Sequence, residues 1–151
     1  MINRFSVPDL HKVTIKLTEV ANNKKIPDLI INNANILSTY TEKINSNKEI
    51  WISEGRIACI KENNTALKFF DKKNLNIYDA EKNILAPGLI DPHMHIESSM
   101  MTACSYSEAA LLNGTTTIFC DSHEIGNVCD IEGIEWMLED RRKAPLSIFL
   151  T

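Results

Sequence analysis

Two histidines one residue apart, His93 and His95, stand in the run APGLIDPHMHIESSM, and Glu97 follows two residues later. Alternate side chains of a strand share one face, so positions 93, 95 and 97 can point the same way. Two imidazoles side by side at a strand end can reach one cation, and imidazole suits zinc, iron, nickel and related first-row ions. His93, His95 and Glu97 are therefore the candidate metal ligands. A second group, Asp121, His123 and Glu124, closes the next apolar run in CDSHEIGN. In parallel α/β folds the carboxyl ends of the strands form the rim where ligands bind, so both groups are expected at one mouth. A lone H-x-H is a weak signal. It gains weight because three of the four histidines fall at two strand ends, where polar side chains are costly unless solvated or employed. Pro92 cannot donate a ladder hydrogen bond, which loosens the same-face argument for Glu97. His11 reads as part of a solvated helix face.

The elements that must position these groups follow from periodicity. Leu10, Val13, Leu17 and Val20 recur at helical spacing, with Ser6 as the expected N-cap and Pro8 in the first turn. From Pro27 the period shortens: DLIINNANILSTY and KEIWISEGRIACIKE are β-rich, the second broken by the turn signal Glu54-Gly55, and LNIYDAEKNIL reads as one further short strand. After Pro87-Gly88 strands and helices alternate. GLIDPHMHI is a strand, and TACSYSEAALLNG a helix capped by Thr102 and stopped by Asn113-Gly114. TTTIFCD is a strand, DIEGIEWMLEDRRKA a helix capped by Asp130, and LSIFLT a third strand. That alternation is the grammar of a parallel sheet. The expected organisation is a helical segment over residues 1–26, a small β domain over 27–85 and the start of a barrel over 86–151. The expected fold class is α/β, a small β-sandwich-like N-terminal unit followed by the first strands and helices of an incomplete (β/α)8 TIM-like barrel. A whole barrel takes about 250 residues, so most of it is expected to be missing and the isolated chain to be inactive.

Composition narrows the partners. With 151 residues, 44% apolar and 24% charged, the chain can bury one sizeable core or two small ones. A net charge of -4 offers no broad basic field, so neither nucleic acid nor membrane is the expected partner; a small molecule fits better. No apolar run approaches the roughly 20 residues of a spanning helix, and MINRFSVPDLHKV lacks the apolar core of a secretory signal, so a cytoplasmic location is expected. Cys59, Cys104, Cys120 and Cys129 form no C-x-x-C pair and are expected as reduced thiols.

The pattern P-G-x-I-D-x-H-x-H, preceded by a small β unit with an SEGRIACI hairpin, resembles the amidohydrolase superfamily. The continuation H-x-H-I-E-S-S-M and the block NGTTTIFCDSHEIGNV resemble the bacterial adenine deaminases over about residues 27–151. Ser122 stands where members of that family usually carry proline. The resemblance implies metal-dependent hydrolytic deamination of adenine to hypoxanthine and ammonia, in purine salvage or catabolism. It implies a divalent metal, Mn2+ or Fe2+ ahead of Zn2+, that lowers the pKa of water, and it leaves a homo-oligomer open for the full-length enzyme. It matches His93 and His95 to the first-strand metal pair, and Glu97 to an acidic residue that is a ligand, an orienter or a substrate contact. Asp121, His123 and Glu124 match the signature beside the metal and purine site, and are the catalytic candidates. Two alternatives stand beside this reading: another amidohydrolase, or a non-catalytic fragment that needs a complementing chain. The zinc nucleobase deaminases, with H-x-E followed by P-C-x-x-C, are set aside because no P-C-x-x-C follows His95-Ile96-Glu97.

Overall fold

The structure, a computed structural model, describes residues 7–151. They fall into two compact units, one ending at Pro87 and one running from Gly88 to Thr151.

The first unit opens with α1 (Leu10–Ala21), which buries Val13 and Val20 two turns apart. Asp9 occupies its N-cap position; Ser6, the expected cap, lies outside the described residues. Three antiparallel strands follow: β1 (Leu29–Ser38), β2 (Lys43–Ser53) and β3 (Arg56–Glu62). Glu54 and Gly55 join β2 to β3 with φ of 53° and 68°, the paired positive angles of a type I′ hairpin. LNIYDAEKNIL forms two short strands, β4 (Ile77–Asp79) and β5 (Ile84–Leu85), because Glu81 and Lys82 take φ of 51° and 63° and break the extended run. Both pair in parallel with β1.

The expected sandwich is therefore corrected. The five strands lie in one sheet, in the order β3-β2-β1-β4 with β5 also on β1, and no second sheet is formed by the described residues of this unit. One sheet suffices because α1 and the 3-10 turns after β3 (Ala66–Lys68 and Lys72–Asn74) close the apolar face: Val20, Ile30, Trp51 and Ala66 form the buried cluster, with Phe70 and Leu75 against it. Trp51 Nε1 donates to buried Glu49 at 2.7 Å, and the same carboxylate oxygen accepts from the Ala66 amide at 2.8 Å.

The second unit follows the predicted alternation. β6 (Leu89–Met94), α2 (Ala103–Leu112), β7 (Thr115–Cys120), α3 (His123–Lys143) and β8 (Ser147–Leu150) occur in that order, and the strands pair in parallel as β6-β7-β8. Pro92 lies inside β6. The ladder passes from Asp91↔Ile118 to Met94↔Cys120, so an extra residue on β6 absorbs the missing donor as a bulge. Thr102 caps α2, its hydroxyl accepting from the Ser105 amide at 3.2 Å, and Asn113-Gly114 ends it, with Gly114 at φ 87°. α3 starts at His123 rather than after Asp130, which instead sits at a break inside it with φ 51° and ψ -145°. Ile96, Ala103, Ile118, Cys120, Met137, Leu146 and Ile148 form the core between sheet and helices. Among the described residues no helix is long and apolar enough to cross a membrane.

Candidate metal centre

The register sets the rim. Met94, Cys120 and Leu150 are neighbours across the three strands, and two further bonds, Asp121 N–H to Met94 O and Thr151 N–H to Cys120 O, both 3.0 Å, carry the pairing one residue past the strand ends. Met94, Cys120 and Ile118 face the helices. The alternation therefore turns His93 and Asp121 to the opposite side of the sheet.

Asp121 organises the two histidines that flank it. Its backbone carbonyl lies 2.8 Å from His95 Nδ1, and its carboxylate Oδ2 lies 3.1 Å from His123 Nδ1. A carbonyl only accepts, so Nδ1 of His95 is the donor, and in the neutral ring Nε2 is the atom left with a lone pair. His123 Nδ1 likewise faces the carboxylate as donor, which in the neutral ring leaves Nε2 as the acceptor atom. The Asp121 Oδ1 also accepts from the His123 amide at 3.1 Å, as Asp91 Oδ1 does from the His93 amide at 3.1 Å. The D-x-H unit thus occurs at both strand ends, DPH and DSH, a repeat that side-chain periodicity does not single out but residue identity shows. The hydrogen bond from His123 is the main reason that the Asp121 carboxyl is held below the ordinary carboxylate range.

His95, Asp121 and His123 bring ligand atoms within 4.8 Å of one another. The His95 ring meets His93 and His123 edge-on, with centroids 4.9 and 4.7 Å apart. Two imidazoles beside an ionised carboxylate are a donor set that suits a divalent first-row cation. His93 borders this cluster without joining it. Glu97 does not share the strand face: β6 ends at Met94, and Glu97 opens a 3-10 turn over Glu97–Ser99. Its Oε1 accepts from the Ile125 amide at 3.4 Å, and its Oε2 lies 4.0 Å from Cys120 Sγ, a thiol that burial pushes up and keeps protonated. Glu124 sits in the first turn of α3 and accepts from the Ser98 hydroxyl at 2.6 Å.

Residues 84–151 match the amidohydrolase family. Over 150 residues, 99% of its length, the chain is 58% identical to adenine deaminase 2 of Bradyrhizobium sp. (strain ORS 278), and covers 25% of that protein. It is 40% identical over 136 residues to an adenine deaminase of Staphylothermus marinus (strain ATCC 43588 / DSM 3639 / JCM 9404 / F1), covering 90% of this chain and 22% of the relative. The chain thus spans about a quarter of the length of the curated relatives that it matches. A solved structure of molinate hydrolase superposes on 84% of this chain and 30% of its own with a TM-score of 0.57 at 15% identity, a likeness of fold.

Proposed function

We propose that this chain is a portion of an adenine deaminase, and that its second unit supplies one side of the metal and substrate site. The observation that carries this reading is the 58% identity to an adenine deaminase over 150 residues, a span that takes in both rim groups. In the reaction, water adds to C6 of adenine, the C6–N bond breaks, and hypoxanthine and ammonia result. His95 and His123 would hold a divalent cation through ring nitrogens, with Asp121 contributing its carboxylate, and His93, beside this cluster with its ring 4.9 Å from that of His95, would add a further imidazole. A cation bound there supplies Lewis acidity and lowers the pKa of water towards neutrality. Asp121, His123 and Glu124 are the groups at the rim able to take a proton from water and return it to the departing amine. Manganese or iron rather than zinc, a cytoplasmic location, a role in purine salvage and a homo-oligomer belong to the same reading.

A second feature bears on activity. Phe119 and Phe149 stack at 5.2 Å on the sheet face opposite the helices and are 37% and 45% exposed, whereas parallel sheets are covered on both faces. Catalysis is therefore assigned to an assembly in which further strands, in the same polypeptide or a complementing one, cover this face. The experiment is a substrate panel: ammonia release from adenine and from other amino-heterocycles is measured with a metal-loaded protein that contains this chain and the length present in its relatives. Adenine is the expected substrate. Turnover of another heterocycle in the panel with none of adenine would redirect the assignment to a different amidohydrolase.

A further inference from the structure

The head of α3, which carries His123 and Glu124, is separated from the rest of its helix. Asp130 adopts φ 51° and ψ -145°, so helical geometry is interrupted seven residues after His123. Across this break the two parts touch closely: a Cβ on Gly133 would stand 2.8 Å from the Ile125 carbonyl oxygen and 2.9 Å from Cys129 Cβ. The body of α3 anchors to the core through Met137, which is 1% exposed, while Val128, in the head, is 82% exposed. Helix continuity alone therefore does not set the orientation of His123.

The turn after β6 does reach the head. Ile96, fully buried in the core, fixes the base of that turn, and the Ser99 hydroxyl donates back to the Ile96 carbonyl at 2.6 Å. From this base two side chains extend to α3: Glu97 accepts from the Ile125 amide at 3.4 Å, and Ser98 donates to the Glu124 carboxylate at 2.6 Å. The Ile125 amide is one of the helix-opening donors that has no intrahelical acceptor, so a carboxylate is a fitting partner.

We propose that Glu97, assisted by Ser98, is a positioning residue that clamps the head of α3 to the β6 turn and so aims His123 at the metal, rather than being itself a metal ligand. The inference rests on the reading of His95, Asp121 and His123 as a metal centre, and it deepens that reading by giving the neighbouring carboxylate a different task.

Glutamine separates the two roles. Its amide oxygen still accepts from a backbone N–H but is a poor substitute for a carboxylate ligand. Hydrogen exchange is measured on the metal-free full chain for the wild type and for Glu97→Gln, Glu97→Ala and Ser98→Ala. Loss of the clamp in Glu97→Ala is expected to speed exchange over residues 123–129 by about tenfold or more, the factor corresponding to one lost charge-assisted hydrogen bond. Exchange over 131–143 should remain near wild type, Glu97→Gln should stay within a few-fold, and Ser98→Ala should fall between. Cobalt(II) affinity, read from its visible absorption, is expected to fall about 10–100-fold in Glu97→Ala, as for other partners that orient ligands, and to be largely kept in Glu97→Gln. Equal loss of affinity in both variants would make Glu97 a ligand and overturn the proposal, as would unchanged exchange over 123–129 in Glu97→Ala. If the wild type binds no cobalt, the metal reading fails, and the exchange measurement still decides whether the clamp exists.

Discussion

The Nδ1 of His95 lies 2.8 Å from the backbone carbonyl of Asp121, across the β6–β7 pairing. Since the acceptor is main chain, the tautomer of His95 is set by strand register and not by the side chain at position 121. In the metal-free chain, nitrogen NMR above the histidine titration range is expected to show His95 protonated at Nδ1, and Asp121→Asn should leave that tautomer in place. An Nε2-protonated His95 would remove the donor assignment.

His95→Ala removes one of the imidazole donors, and its effect on cation binding should be at least the 10–100-fold typical of second-layer partners. Metal content of purified protein, wild type against His95→Ala and His123→Ala, checks this. His11, exposed on α1, provides the control, with His11→Ala expected to match wild type. Stoichiometric metal retained by His95→Ala would take His95 out of the centre.

The Asp121–His123 pair has a defined pH signature. His123 holds the Asp121 carboxyl below its ordinary value, so the contact contributes stability that is fully present above about pH 3.9 and is lost as pH falls through the lower, folded-state value. A carboxyl-carbon NMR titration of metal-free protein should place Asp121 below the usual range and move it upward in His123→Ala. No upward movement in that variant would show that another group lowers it.

The parts of this arrangement legible in the sequence are those carried by side-chain period and turn chemistry. Alternation marks β6, β7 and β8, and Thr102 and Asn113-Gly114 bound α2, because each signal is local. Other features lie outside that language. Glu97 reads as part of a strand face, since three residues of 3-10 turn leave no periodic trace; only Pro92 hints that the strand is irregular. The head of α3 reads as loop because Gly126 and Asn127 are poor helix formers, and its helical state depends on packing and on the Glu97 contact. Asp121 acts on His95 through a carbonyl, which every residue possesses. One sheet in place of a sandwich follows from α1 and the 3-10 turn at Ala66 covering the apolar face, a tertiary choice that strand patterns do not encode.

In the first unit, Glu49 is 1% exposed and accepts from both Trp51 Nε1 and the Ala66 amide. Glu49→Ala strands both donors, and at about 1–3 kcal/mol for each unsatisfied buried group the loss should be roughly 2–6 kcal/mol. Glutamine keeps an oxygen able to accept twice, so Glu49→Gln should cost less than half as much. Denaturant unfolding followed by Trp51 fluorescence measures both; equal stability of the two variants would mean that the carboxylate charge, not acceptance, is what matters there.

Gly88 couples stability to the geometry of the rim. A Cβ at this position would stand 2.2 Å from Thr116 Oγ1, 2.3 Å from its Cγ2 and 2.7 Å from its Cβ. Since the Thr116 Cβ is itself too near, rotating that side chain cannot relieve the overlap, and β6 must move away from β7. His95 and Asp121 continue those two strands, so the displacement reaches the metal donors through the register. Gly88→Ala is expected to cost about 1–3 kcal/mol, as overpacked sites do, and to weaken cobalt binding. Thr116→Gly removes the obstructing atoms, so the double variant Gly88→Ala/Thr116→Gly should be more stable than the sum of the single changes, with a coupling of about 0.5–3 kcal/mol. Denaturant unfolding of all four proteins measures this coupling, and additive losses would show that β6 and β7 have room for a methyl group at their start.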